Sequence, residues 1–179
     1  MLRLAVACAA ASIWVAPAGA HTDTGPGLSL VWPASGTVTR GFGWDGPSWH
    51  PGIDIGTLRS LDVTAVAPGV VEAVAYVPHF EGYGNIVLVD LGDGIAALYA
   101  HLSEVGVKVG DTVATGERLG LAGCTGYCTG THLHFELRED GTAVDPAPLL
   151  PATFPARAAS RDTRSRRSPD ARRASSRAP

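Results

Sequence analysis

The sequence predicts an all-β, antiparallel domain folded as a sandwich or a partly closed barrel. Three observations carry this. Between residues 26 and 151 no apolar pattern of period 3.6 is sustained. Short runs rich in β-branched and aromatic residues take its place, separated by Gly, Pro and Asp. Gly92-Asp93-Gly94 stands between two such runs, and Gly and Asp accept the positive φ that a tight hairpin turn requires.

The expected strands are VTAV (63–66), GVVEAVAYV (69–77), NIVLVDL (85–91), IAALYAHL (95–102), ERLGLAG (117–123) and HLHFELRE (132–139). Turn signals fall between them at Pro68-Gly69, Gly82-Tyr83-Gly84, Gly92-Asp93-Gly94, Gly110-Asp111 and Asp140-Gly141. The expected core holds Val66, Val71, Val74, Val87, Val89, Leu98, Leu119, Leu133 and Phe135.

Both ends of the 179-residue chain read differently from this domain. Residues 1–20 run MLRLAVACAAASIWVAPAGA, with a basic residue, an apolar stretch and Ala18-Gly19-Ala20 before His21. That order is a secretory signal peptide with an A-x-A cleavage site. Pro17 and Gly19 end the apolar run early, whereas a spanning helix wants roughly 20 apolar residues. Export is therefore expected, to a secreted, periplasmic or cell-wall location, with His21 as the mature N-terminus and 21–25 a short lead-in. From Ala152 onward eight Arg and two Asp lie among Ala, Ser and Pro, with Phe154 the single large apolar residue. A segment of that composition buries too little surface to offset its ordering entropy, so 152–179 reads as a disordered tail and 26–151 as one domain.

Charge divides along the same boundary. Residues 21–151 hold five Lys/Arg and fifteen Asp/Glu, a net of −10, and the tail from 152 carries +6. An acidic domain argues against nucleic acid as the main ligand. The basic tail is suited to contact with an anionic wall polymer or surface. A monomer is expected. Cys8 leaves with the signal peptide, so Cys124 and Cys128 remain. An even pair in an oxidising compartment favours a disulfide, although a C-x3-C pair joined by two further ligands can also hold zinc.

Six histidines occur. His79, in the loop PHFEGYG, reads as an exposed polar residue. On a strand, residues i and i+2 share a face roughly 7 Å apart, so His132 and His134 project together while Leu133 turns to the core. WHPGIDIG (49–56) adds His50 and Asp54. Two imidazoles and a carboxylate with an open fourth position form a catalytic zinc arrangement. A straight strand parts residues four apart by about 13 Å, so this segment must bend at Pro51-Gly52 to use both. His101 closes the run LYAH.

The series HPGID, TAVAPGVVEAV, GYGNIVLVD, LYAHLS, VKVGDTVATGERLG and CTGYCTGTHLHFE resembles the M23 family of zinc metallopeptidases, the lysostaphin-type or LytM-like enzymes that cut peptide cross-links of bacterial cell walls. The similarity runs from about Trp32 to Pro148, with the motifs in the family's order. The resemblance implies one zinc ion per chain, held by His50, Asp54 and His134. It implies a catalytic pair, His101 and His132, and hydrolysis of peptidoglycan stem peptides or cross-links by a zinc-activated water. All five positions carry the expected residue, whereas non-catalytic relatives that act as scaffolds or hydrolase activators usually lack one or more. Some members place a tyrosine six residues before the first zinc histidine; here that position is Trp44. Trp44, Tyr83 and Tyr127, with Trp49 and Phe80, are candidates to line a groove for a slender peptide.

Two rival readings follow. A non-catalytic LytM-like scaffold or activator would use the same fold with a broken metal set. VAPGVVEAV and VKVGDTVATGERLG also resemble the paired halves of biotinyl- or lipoyl-type hybrid barrels. Lys108 is the only lysine and no lysine sits at a hairpin tip between those halves, which leaves shared β architecture of the duplicated hybrid type as the reading. No H-E-x-x-H occurs, so the glutamate-base template of helical zincins does not apply.

Overall fold

The computed structural model describes residues 28–45 and 48–154. The expected signal peptide at 1–20, the expected lead-in at 21–25 and the part of the expected 152–179 tail from 155 onward lie outside the described residues. Thirteen strands and one 3₁₀ turn make up the described chain. They are β1 (Thr37–Arg40), β2 (Gly43–Asp45), β3 (Ser48–His50), β4 (Ile53–Gly56), β5 (Asp62–Thr64), β6 (Gly69–Ala75) and β7 (Ile86–Gly92). After these come β8 (Ile95–Ala100), β9 (Leu102–Val105), β10 (Thr112–Val113), β11 (Arg118–Ala122), β12 (Leu133–Glu139) and β13 (Thr142–Val144). The 3₁₀ turn, Ala147–Leu149, follows.

The main sheet runs β1-β4-β12-β8-β7-β6-β10, with β13 paired to the far end of β12. Every pairing in it is antiparallel. Its two end strands do not pair with each other, so no barrel closes. A second sheet, β5-β11-β9, packs against it, and β2 pairs with β3 in a third, two-stranded sheet. Val63, Leu119 and Leu102 from the second sheet join Val71, Val89, Tyr99 and Phe135 of the first in one buried cluster. Alternation explains the sidedness of β12: Leu133, Phe135 and Leu137 are 0–1 % exposed on the core face, while the residues between them belong to the other face.

The hairpin expected at Gly92-Asp93-Gly94 joins β7 to β8, with Asp93 at φ 52° and Gly94 at φ 75°. Of the expected core, only Val74 is half-buried, packed against the rest. Two expected runs end early for a local reason. The run 69–77 stops at Ala75, which takes φ 66°, and the run 95–102 breaks at His101, which takes φ 61°. Positive φ on a non-glycine residue ends the pleat and re-aims the side chain. The short strands β1 to β4, β10 and β13 carry little pattern in two to four residues, and only the sheet defines them. Phe154, grouped with the tail by its composition, stacks on Trp32 with ring centroids 3.8 Å apart. The Trp32 indole N–H donates to the Pro151 and Thr153 carbonyls at 3.0 and 3.1 Å, so the packed chain runs through Phe154.

Candidate metal centre

Strand register builds the site. β12 lies between β4 and β8, and His134 pairs across to Asp54 on one side and Ala100 on the other. Asp54 and His134 thus sit side by side on one face, and His101 follows Ala100. β3 ends at His50, the chain turns through Pro51-Gly52, and β4 begins at Ile53. That bend folds His50 back over Asp54. Gly52 permits it: a Cβ there would overlap the Phe135 carbonyl and meet Glu136 Cγ at 2.9 Å.

Three ligand-type atoms converge. His50 Nε2 lies 3.0 Å from His134 Nδ1 and 3.2 Å from Asp54 Oδ1. His134 Nδ1 lies 2.8 Å from the same oxygen. Atoms bound tetrahedrally to zinc at roughly 2.0–2.1 Å stand about 3.3 Å apart, close to this triangle. The outer nitrogens fit as well. His50 Nδ1–H donates to the Gly41 carbonyl at 2.7 Å, and His134 Nε2–H donates to Glu136 Oε1 at 3.0 Å. Each imidazole therefore presents a lone pair to the centre of the triangle. Among the described residues this is the one such cluster.

The other two histidines stand beside it. His132 Nε2 is 3.7 Å from Asp54 Oδ1, and its Nδ1–H donates to the Gly130 carbonyl at 2.7 Å. His101 Nδ1–H donates to the Thr125 carbonyl at 2.8 Å, and its ring centroid lies 4.7 Å from that of His132. Thr125 belongs to the loop closed by a Cys124–Cys128 disulfide with Cα atoms 5.5 Å apart. That loop is seated on the 82–84 turn, where the Tyr127 N–H donates to the Gly82 carbonyl at 2.7 Å.

Electrostatics follow from the same contacts. Burial pushes the Asp54 carboxyl up, but hydrogen bonds with His134 and His50 outweigh it and hold it far below the usual carboxylate range. Burial works against charge on His134, yet Asp54 and Glu136 on its two sides raise its pKa. Burial also dominates at His101 and lowers its pKa, so its imidazole stays neutral at neutral pH. Glu136 is fully buried. Burial raises its pKa, and His134, Tyr83 and Arg138 together bring it below its ordinary value.

A cleft of about 550 Å³ opens over these groups, walled by Trp49, Tyr83 and Tyr127 with Arg40 and Glu81 at its sides. A second recess of about 270 Å³ continues past Asp54 and His132 and is lined by Thr39, Thr57, Thr129 and Thr131. Trp44 does not line either recess. It is 75 % exposed and stands behind Trp49, ring centroids 5.9 Å apart, because the two face each other across the β2–β3 hairpin. Tyr83 is both wall and brace, since its hydroxyl donates to Glu136 at 2.5 Å. Glu136 went unread in the sequence. Its signal was the alternation of HLHFELRE, which puts it on the His132 and His134 face.

Residues 48–146 match the sequence pattern of peptidase family M23. The DD-carboxypeptidase/endopeptidase Mpg of Neisseria meningitidis is 40 % identical over 97 residues, 54 % of this chain and 22 % of that protein. The murein hydrolase activator NlpD of Salmonella typhimurium is 32 % identical over 137 residues, 75 % of this chain and 35 % of that one. The chain thus spans a minor part of these relatives' length. A zinc-containing peptidase from Vibrio cholerae superposes with a TM-score of 0.58 at 30 % identity, covering 71 % of this chain and 40 % of that one.

Proposed function

The chain belongs to peptidase family M23, and on that premise we propose that it is a zinc metalloendopeptidase acting on peptide bonds of bacterial peptidoglycan. One observation carries the reading: four imidazoles face one small volume, and each has its outer nitrogen tied to a carbonyl or carboxylate. A scaffold has no need for four prepared lone pairs around a carboxylate. His50, Asp54 and His134 would hold the metal, and the names of the Neisseria and Salmonella relatives point to peptidoglycan and the cell envelope.

Zinc bound there supplies a water acidified to a pKa of about 7 and a Lewis acid for the scissile carbonyl. The protein's own residues do the rest. His101 and His132, each holding Nδ1–H on a backbone carbonyl, present Nε2 as a proton acceptor beside the reacting bond. Burial keeps His101 neutral and ready for that task. Once protonated, the same nitrogen donates to the leaving amine or to the developing oxyanion. A peptide lying along the two recesses would cross the ligand triangle with Trp49 and Tyr127 against one arm and the threonine hydroxyls against the other. The proposal includes export by the 1–20 segment, contact of the Arg-rich tail with anionic wall polymer, and a monomeric enzyme.

The test is digestion of purified peptidoglycan with and without a chelator, with products read by mass spectrometry. New peptide termini that vanish with chelator and return with zinc are expected. The resemblance to an activator favours a second reading, in which the chain stimulates another hydrolase. Intact peptidoglycan despite one bound zinc per chain would move the assignment there.

A further inference from the structure

We infer that Glu136, a residue outside the ligand set, is the positioning residue that makes His134 a metal ligand by fixing its tautomer and ring orientation. The inference rests on the zinc reading above. His134 can offer Nδ1 to a metal only while its proton sits on Nε2. That N–H is inside the protein, where His134 is 5 % exposed, and it donates to Glu136 Oε1 at 3.0 Å.

The carboxylate cannot turn away. Oε1 accepts from both His134 and the Tyr83 hydroxyl, and Oε2 accepts from Arg138 Nη1. Arg138 is anchored in turn: its Nη2 donates to the Gly141 carbonyl at 2.7 Å, and its guanidinium lies over the Phe80 ring, 5.5 Å from the centroid. Glu136 also borders the turn between the other two candidate ligands. The Pro51-Gly52 turn that joins His50 to Asp54 packs on the Phe135 carbonyl and on the Glu136 side chain, and a Cβ at Gly52 would meet both, at 2.3 and 2.9 Å.

Stability alone does not account for a fully buried carboxylate between Phe135 and Leu137. Burying a charge is costly even when it is paired, and well-packed neutral residues commonly serve as well or better. What a neutral residue cannot do here is answer both neighbours. A glutamine that turned its oxygen to His134 would turn its NH₂ against the Arg138 guanidinium. Reversed, its NH₂ would face Nε2 and favour the tautomer with the proton on Nδ1, the atom that must be bare to bind metal.

The experiment compares the full chain with Glu136→Gln by competition for zinc against a chromophoric chelator, alongside thermal unfolding without metal and the absorption spectrum of the cobalt(II) form. Zinc affinity should fall about 10- to 100-fold, the cobalt bands should shift, and the metal-free unfolding midpoint should change little. Unchanged zinc affinity overturns the inference, as does a loss that only tracks a fall in the midpoint. Should Glu136→Gln not fold, Tyr83→Phe carries the test. It keeps the carboxylate and frees one of its restraints, so a smaller loss of affinity is expected and no loss overturns the idea. Wild-type protein that binds zinc but cleaves nothing sinks the peptidase reading and leaves this one standing. Wild-type protein that binds no zinc sinks both.

Discussion

At the scale of single residues, the four site histidines differ in what their outer nitrogens touch. His50, His101 and His132 donate to the backbone carbonyls of Gly41, Thr125 and Gly130, and only His134 donates to a side chain, Glu136. A carbonyl fixes the tautomer, while a carboxylate also makes the ring a stronger donor to a metal. His101 pays in backbone strain for its aim, standing at φ 61°, a region that non-glycine residues seldom adopt. Its backbone N–H donates to the Tyr83 carbonyl at 2.9 Å. On the proposed mechanism His132→Ala removes a proton acceptor and no ligand. Turnover of peptidoglycan should drop about 10²- to 10⁴-fold, with one zinc per chain still found by metal analysis. Loss of the zinc in that variant would mean that His132 is itself a ligand.

At the scale of elements, β12 does two jobs through alternation. Its odd-numbered residues from Leu133 to Leu137 fill the core, and its even-numbered ones, His134 to Arg138, continue from His132 just before the strand as a polar row on the opposite face. Neighbouring elements are coupled to that row at close range. The turn at Gly52 is one of these, packed so that a Cβ there would lie 2.3 Å from the Phe135 carbonyl oxygen. Gly52→Ala should therefore lift the turn off β12 and separate His50 from Asp54. The expected outcome is weaker zinc binding, measured by the same chelator competition, in a protein whose far-ultraviolet circular dichroism still reports β structure. Tight zinc binding in that variant would show that the turn can shift without moving the ligands. The disulfide loop is the other coupled element. It carries the Thr125 carbonyl to His101, and its Thr125 hydroxyl also accepts from the Asn85 N–H at 3.0 Å. Reduction of Cys124–Cys128 should slow turnover while leaving zinc in place, checked by assay and metal analysis on one sample. Equal turnover before and after reduction would make the bridge irrelevant to His101.

At the scale of the whole molecule, the main sheet is tied to the segment that follows β5 through a buried tyrosine. Tyr99 is fully buried, and its hydroxyl accepts from the Val66 N–H at 2.9 Å. Burial raises its pKa well above the ordinary value. In the unfolded chain it ionises near pH 10, in the folded chain only higher. Between those points the folded state holds a proton that the unfolded state has lost, so stability is intact below about pH 10 and falls as pH rises past it. Alkaline unfolding should coincide with the appearance of tyrosinate absorbance from Tyr99. Tyr99→Phe should delay the alkaline transition. At neutral pH it should cost about 1–3 kcal/mol, because the buried Val66 N–H loses its acceptor. Denaturant melts at pH 7 and pH 10.5 test both halves. A variant that melts like the wild type at both would refute the assignment.

The sequence by itself determined the fold class, the hairpin at Asp93-Gly94, most of the core and the pairing of His132 with His134 on one face. Each of these depends on residues close in the chain, through φ preference or the two-residue period of a strand. The family's motif order named the five candidate site residues, since their identities are local even when their meeting is not. Only the tertiary structure decided that Asp54 lies across from His134, that Glu136 and Tyr83 brace that histidine, that Trp49 rather than Trp44 walls the cleft, and that Phe154 packs on Trp32. Those facts arise from strand register and from contacts between segments as far as 122 residues apart, from Trp32 to Phe154, and no local pattern of apolar and polar residues encodes them.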